Sequence, residues 1–462
     1  MKLNKRYLYV SVLWGLTILI SSCGEDRSHE YFERIEVTSW VYEEMKDWYY
    51  WESTMPSETS ANFLANTESF FKSLLSSSDK FSYIESIEES EDRTRSIAYT
   101  SYSYGFDFAL LEFKIPSRGT LYAALVLYVA PDSPASEAEL KRGDLITSVK
   151  GVNLTLLNSP LLYGAESMSI GLGEFDQEEA QLITTQTKTL GSARTIEDNP
   201  IFLHKTLQHD GKSIGYLVYN HFTGGPNDSS TGNYNNELLQ IATGFVQQGV
   251  NELILDLRYN NGGYVYCAQI LSTILAPARS LQEPLGYMEY NENHPELTGY
   301  IPFISDIAQQ GANLDLNTLY VITGSMTASA SEMVINCLKS YMDVVLVGQK
   351  TVGKNVGSIS ITDPNREYPW ILHPIVCRIY NADADKSSDY SSGFTPDYLI
   401  NEFDTKYLNT IKELGDKEEL LLKTTLSIID GTYEPEEEEE ETPRSSYVSS
   451  SIERKATAIR MR

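Results

Sequence analysis

The chain has 462 residues, 41% of them apolar, enough to bury a sizeable core and too many for one ordinary domain. Its formal net charge of −28 argues against nucleic acid and anionic membrane surfaces as partners, because a repelled phosphate gains nothing by approaching. Apart from Cys23 the cysteines are Cys267, Cys337 and Cys377, whose odd count and wide spacing predict buried hydrophobes rather than disulfides or a zinc site. With no HExxH and no paired CxxC, no metal or other cofactor is implied.

At the N-terminus, Lys2, Lys5 and Arg6 precede an apolar run from Tyr7 to Ile20, and Ser21 and Ser22 lead to Cys23. Basic, apolar and small segments in that order predict a signal peptide over 1–22. The run is short for a spanning helix, which needs about 20 residues. Its end resembles the lipobox of bacterial lipoproteins, which implies a lipid on Cys23 and a place on the bacterial cell envelope, facing the periplasm or the cell surface. Residues 23–30 read as a tether.

Residues 31–97 read as a small helical domain. Apolar residues at Val37, Trp40, Val41, Met45, Trp48 and Tyr49 fall at helical spacing, and 61–75 form a second amphipathic run. The aromatic stripe is expected to be core. From 98 to 192 the chain turns β-rich, with strands over 121–129 and 145–149. Between them stand Pro131-Asp132-Ser133-Pro134-Ala135 and Leu140-Lys141-Arg142-Gly143-Asp144, and a Gly151-Val152-Asn153 turn follows. This order resembles a PDZ domain. The resemblance implies that Tyr104, Gly105 and Phe106 form a carboxylate-binding loop for the C-terminal tail of a peptide added as a strand; a sandwich with no peptide site is the alternative.

From 193 to 431, strands alternate with helices, which predicts an α/β core. Strands are expected at 214–219, 252–257, 319–323 and 344–347, and helices at 234–248, 265–275, 329–341 and 417–429. The final segment, 432–462, carries a glutamate run at 436–441 and a Ser/Arg-rich end, and reads as a disordered acidic tail.

Leu319 to Glu332 reads as a strand, a small-residue turn and a helix start. A hydroxyl there sits where free N–H groups and the helix dipole stabilise an oxyanion. Alone, such a turn is also ordinary capping. Lys354 follows a second predicted strand on a glycine-flanked turn, and burial there lowers a lysine's pKa until its amine can act as a base. Thr327-Ala328-Ser329-Ala330-Ser331-Glu332, the Gly348 to Lys354 segment and Ile254-Leu255-Asp256-Leu257-Arg258-Tyr259-Asn260-Asn261-Gly262-Gly263 together resemble the C-terminal processing, or tail-specific, serine peptidases. Ile214 to Leu217 and Gly393 to Asp397 match further blocks, so the resemblance runs from about 99 to 397.

The resemblance implies a crotonase/ClpP-like α/β peptidase core behind the PDZ-like domain. It also implies a Ser/Lys dyad 25 positions apart, which selects Ser329 over Ser331 and Lys354 over Lys350. Oxyanion donors are then Ala330 with Gly262 or Gly263, and the substrates are proteins or peptides bound by their C-terminal tails. The sequence departs from the family at Asn261, Asn355 and Ser358, leaving Ser358 or Asn355 to orient the amine. No motif links His204, His209, His221 or His373 to Ser329. An inactive envelope scaffold that binds peptides is the alternative supported by those departures; a hydrolase of other esters or amides is a further one.

Overall fold

The computed structural model describes residues 28–87, 100–115, 119–226, 230–365, 367–384, 389–435, 445–454 and 459–460. The expected signal peptide, Cys23 and the glutamate run lie outside the described residues.

Helix α1 (Ser28–Trp48) starts inside the expected tether. Helix α2 (Thr67–Leu74) occupies only part of the expected 61–75 run, because Asn66 caps it by accepting from Ser69 N at 2.9 Å. Val41, Met45, Phe70, Phe71 and Leu74 are buried together, so the aromatic stripe is core. The helical expectation fails at Tyr83–Ser86, which form β1 on the edge of residues 370–373. Pairing with a distant strand overrides a weak local propensity there.

The β-rich module holds β2 (Thr100–Ser103), β3 (Phe106–Ile115), β4 (Gly119–Val129), β5 (Leu145–Val149), β6 (Val152–Asn153), β7 (Met168–Asp176), β8 (Gln181–Leu190) and β9 (Arg194–Glu197). Strands β3, β4, β5, β7 and β8 form one antiparallel sheet in that order, with β6 on β5 and β2 paired with β9. Side chains alternate across it. Phe108, Leu110, Ala124 and Val126 face the module's own core, while Ala109, Leu111, Ala123 and Leu125 face the larger body.

That body is an α/β layer. Its sheet contains β10 (Ile201–His209), β11 (Lys212–Tyr219), β12 (Glu252–Asp256), β15 (Thr318–Thr323), β16 (Asp343–Gly348) and β21 (Tyr398–Leu399), parallel from β11 onward. Its longer helices are α3 (Asn233–Gln247), α4 (Val265–Leu275), α5 (Ala330–Leu338) and α6 (Leu420–Ile429). Leu253 and Leu255 of β12 pack among α3, α4 and α5, while Ile254 faces α6 and the β-rich module. Both faces are covered, which is why these strands read as continuous apolar runs. A second sheet, in the order β14 (Gly299–Pro302), β13 (Pro284–Tyr290), β20 (Ile375–Asn381), β17 (Val356–Ser358) and β23 (Ile459–Arg460), lies beyond α5, and β18 (Ile361–Thr362) and β19 (Trp370–His373) join β1.

The expectation of a disordered tail fails over 445–454. Ser445–Ser450 form β22, antiparallel on the outer edge of β3, and Ile452 is wholly buried. A strand added to a sheet edge is held by backbone hydrogen bonds, which composition does not encode. One aliphatic anchor then suffices to seat a serine-rich segment.

Candidate active site

Between β15 and α5 the chain makes a tight turn that ends at Ser329, the residue preceding α5. Ser329 has φ 65°, a conformation that costs a non-glycine residue about 1–3 kcal/mol. Its neighbours fix it: Thr327 Oγ1 donates to Leu257 O at 2.7 Å and Ala328 N to Asn260 O at 3.1 Å. Ser331 Oγ also donates to Asn260 O, at 3.1 Å, so its hydroxyl is engaged. Ser329 Oγ is buried and has no hydrogen-bond partner among the described residues. The strain thus falls on the free hydroxyl.

Lys354 is 2% exposed, whereas Lys350 faces solvent. The Lys354 ammonium position is 5.1 Å from the centroid of the Phe81 ring, which the N-terminal domain supplies. Burial pulls its pKa down to about 7, against the opposing charges of Glu332 and Asp79. It lines a cavity of about 880 Å³ with Asn261, Met326, Ala328, Phe81 and Ile452.

Glu332 joins the two loops. Its Oε2 accepts from Ser329 N at 2.9 Å and from Lys354 N at 2.8 Å, so the two backbones converge on one atom. Its Oε1 accepts from Thr351 Oγ1 at 2.5 Å and Gly353 N at 2.7 Å. Burial raises the Glu332 pKa, and these hydrogen bonds, that from Thr351 foremost, pull against it. Glu332 was not among the expected site residues. The signal was there: a serine followed three residues later by glutamate at a helix start is the capping-box spacing.

Gly262 stands against this turn and Gly263 against Phe222. A Cβ on Gly262 would lie 2.8 Å from Ser329 Oγ, and one on Gly263 would lie 2.2 Å from Phe222 O, so neither position admits a side chain. The Gly262 N–H donates to Asn260 Oδ1 at 2.9 Å and is engaged. The Gly263 and Ala330 amides make no hydrogen bond within the described residues.

Of the two residues expected to orient the lysine, Asn355 has its Nδ2 engaged, donating to Asp389 Oδ1 at 2.6 Å. Ser358 Oγ is buried on β17 without a partner among the described residues. The histidines are committed elsewhere, His209 to Asp430, His221 to Asp198 and His373 to Glu85, while His204 lies edge-on to Phe245. Cys267, Cys337 and Cys377 are buried and form no disulfide among the described residues, and burial pushes their thiols up to about 12.

Tyr104, Gly105 and Phe106 line a separate cavity of about 80 Å³ with Leu162, Tyr163 and Ser451. Two of the expected peptide contacts are internal. Tyr104 OH donates to Glu166 O, and the Gly105 N–H donates to Ser103 Oγ at 3.1 Å.

A fully buried ion cluster links this module to the glycine turn. Arg142 bonds Glu402 at 2.7 Å and Glu419 at 3.3 Å; Arg258, from the strand end before Gly262, bonds Asp256 at 2.8 Å, Glu419 at 2.7 Å and Glu402 at 3.0 Å. Burial alone would raise the Glu419 pKa, but Arg258 and then Arg142 hold it near 2.

Comparison with known proteins fits this geometry. Peptidase family S41 matches residues 213–400, and the peptidase S41 N-terminal domain matches 36–83. Carboxyl-terminal-processing proteases of a Picosynechococcus and a Synechocystis are 26% and 24% identical over 50% and 48% of the chain. The chain spans about half the length of these curated relatives, 50% and 48%. A crystal structure of a protein from Bacteroides fragilis, named as a candidate S41 protease, is 36% identical with TM-score 0.73, covering 86% of this chain and 98% of that one. The chain belongs to peptidase family S41.

Proposed function

We propose that the chain is a serine endopeptidase acting on proteins recognised through their C-terminal tails. Ser329 Oγ attacks the peptide carbonyl while the neutral Lys354 amine takes its proton. The Gly263 and Ala330 amides receive the oxyanion, and the lysine passes the proton to the departing amine. Water then attacks the acyl-serine by the same route and releases the second product. The observation that carries this reading is one carboxylate, Glu332, accepting from the backbone N–H groups of both a strained Ser329, whose hydroxyl has no partner among the described residues, and a buried Lys354 whose pKa lies near 7.

Ser358, four residues after the lysine, is the residue we assign to orient the amine. We read residues 98–192 as PDZ-like and the core as crotonase/ClpP-like, on the order of strands, turn and Gly-Asp in the first and the parallel sheet in the second. The names of the curated relatives support action at C-terminal tails. The N-terminal basic, apolar and Cys23 pattern supports a lipid anchor on the cell envelope.

A fluorophosphonate tests the dyad directly. The expected outcome is one label on Ser329, lost in Ser329→Ala, which also stops casein cleavage by purified protein. An unlabelled wild-type chain would favour the inactive scaffold.

A further inference from the structure

The C-terminal segment lies on the edge of β3, the strand that follows the expected carboxylate-binding loop. Strand β22 runs antiparallel along β3, with Ser445 opposite Phe113 and Ser450 opposite Ala109. Ser451 continues the pairing: its N–H donates to Phe108 O at 3.0 Å, and its Oγ accepts from Phe108 N at 2.9 Å and donates to Asp107 at 2.6 Å. Here it reaches the mouth of the cavity at Tyr104 to Phe106. The chain then leaves β3. Ile452 enters the core between module and body, and Asn261 Nδ2, beside the glycine turn, donates to Ile452 O at 2.9 Å. Ser449, Ser450, Ile452 and Glu453 line the same cavity as Lys354. Farther on, Ile459–Arg460 pair with Gly357 and Ser358, just past the lysine.

We propose that residues 445–454 are an intramolecular ligand that occupies both the β3 edge and the cleft, and that a substrate must displace it. Strand addition is how an open sheet edge binds an extended peptide, and here the chain's own segment makes those bonds. The match extends beyond the backbone. Asn261, one of the departures from the family pattern, holds the segment at the cleft, and the Ser451 hydroxyl bonds the first residues of β3. Competition with substrate rests on the peptidase reading; the docking itself does not.

The chain truncated after Pro435 and carrying Ser329→Ala separates these two claims. A fluorescein-labelled peptide of residues 445–454 should bind the truncated chain saturably and the full chain at least tenfold more weakly, since a tethered competitor acts at an effective concentration on the order of mM. No binding to the truncated chain, or equal binding to both, would overturn the proposal. With Ser329 intact, truncation should lower KM for a peptide substrate about tenfold or more, and the added peptide should restore it competitively. Ser451→Pro, which removes the N–H given to Phe108, should lower KM in the same direction without shortening the chain. A KM unchanged in both variants would overturn the competition. Peptide binding with no hydrolysis by any variant would sink the peptidase reading and leave the docking standing.

Discussion

The Arg142–Arg258 cluster and the Ser329–Lys354 turn bury charge at similar depth and treat it in opposite ways. In the cluster, two guanidiniums meet Asp256, Glu402 and Glu419 with multiple hydrogen bonds, and against the cost of burial they hold the Glu419 carboxyl near 2. At the turn, the lysine has no ion pair among the described residues, the serine hydroxyl has no partner there, and the carboxylate nearby spends itself on backbone amides. Burial therefore costs the cluster nothing in reactivity, while at the turn it moves an amine to about 7. The lesson is that low dielectric fixes a paired charge and titrates an unpaired one.

Breaking the one carboxylate that spans both loops should have the largest effect. In Glu332→Gln the NH₂ replaces either the oxygen that serves Ser329 N and Lys354 N or the one that serves Thr351 Oγ1 and Gly353 N, so at least one N–H donor loses its acceptor and the negative charge that holds both loops is gone. The expected loss in kcat is about 10²–10³-fold, the scale of removing one positioned polar group at a reacting centre. Because the charge of Glu332 raises the Lys354 pKa, its removal should also move the pH midpoint of kcat below that of the wild type. A midpoint that does not move would reduce Glu332 to a structural cap.

The same cation-to-methionine exchange should have opposite signs in the two regions. Arg258→Met leaves Glu402 and Glu419 with Arg142 alone and Asp256 without its ion-pair partner, and should lower stability by about 3–5 kcal/mol in urea titration. Lys354→Met removes a group that the fold holds neutral. The native lysine loses its proton near pH 7 and the unfolded one near 10, so unfolding takes up a proton between these values and wild-type stability rises with pH across that window. Below pH 7 the native state bears the whole cost of the buried ammonium. Lys354→Met should therefore be more stable than wild type by about 2–3 kcal/mol at pH 6, with the gain shrinking toward pH 10.

The parts of this arrangement differ in how plainly the sequence announces them. The strands of the parallel sheet were legible because both faces are covered, so runs such as Glu252 to Asp256 are continuously apolar between their charged ends. Ser329 and Lys354 were legible through motif spacing, and the free hydroxyl of Ser329 against the engaged one of Ser331 agrees with that choice. The second sheet was not, because strands such as Val356–Ser358 are too short for any period to declare itself. Nor was the partnership of Arg142 with Arg258, which lie on different modules and meet only through Glu402 and Glu419. The tail escaped for a different reason. Ser445 to Ser451 is held by another strand's backbone, and nothing in its own composition reports that.

The smallest effect expected is the one that refines the contrast most. Ser358 Oγ is a buried hydroxyl without a partner among the described residues, four residues beyond the lysine on a strand that starts beside it. A neutral amine serves as a base only while its lone pair points at the serine, and a hydroxyl accepting one of its N–H groups fixes that rotamer. Such a bond contributes about 0.5–1.5 kcal/mol, so Ser358→Ala should lower kcat by about 2–10-fold. Since a hydroxyl also stabilises the ammonium, the midpoint of the rising pH–rate limb, expected near 7 in the wild type, should move slightly lower. Ser358→Thr, which keeps the hydroxyl, should restore both. A rate loss in Ser358→Ala with the midpoint fixed would mean that packing on β17, and not the amine, is what the hydroxyl serves.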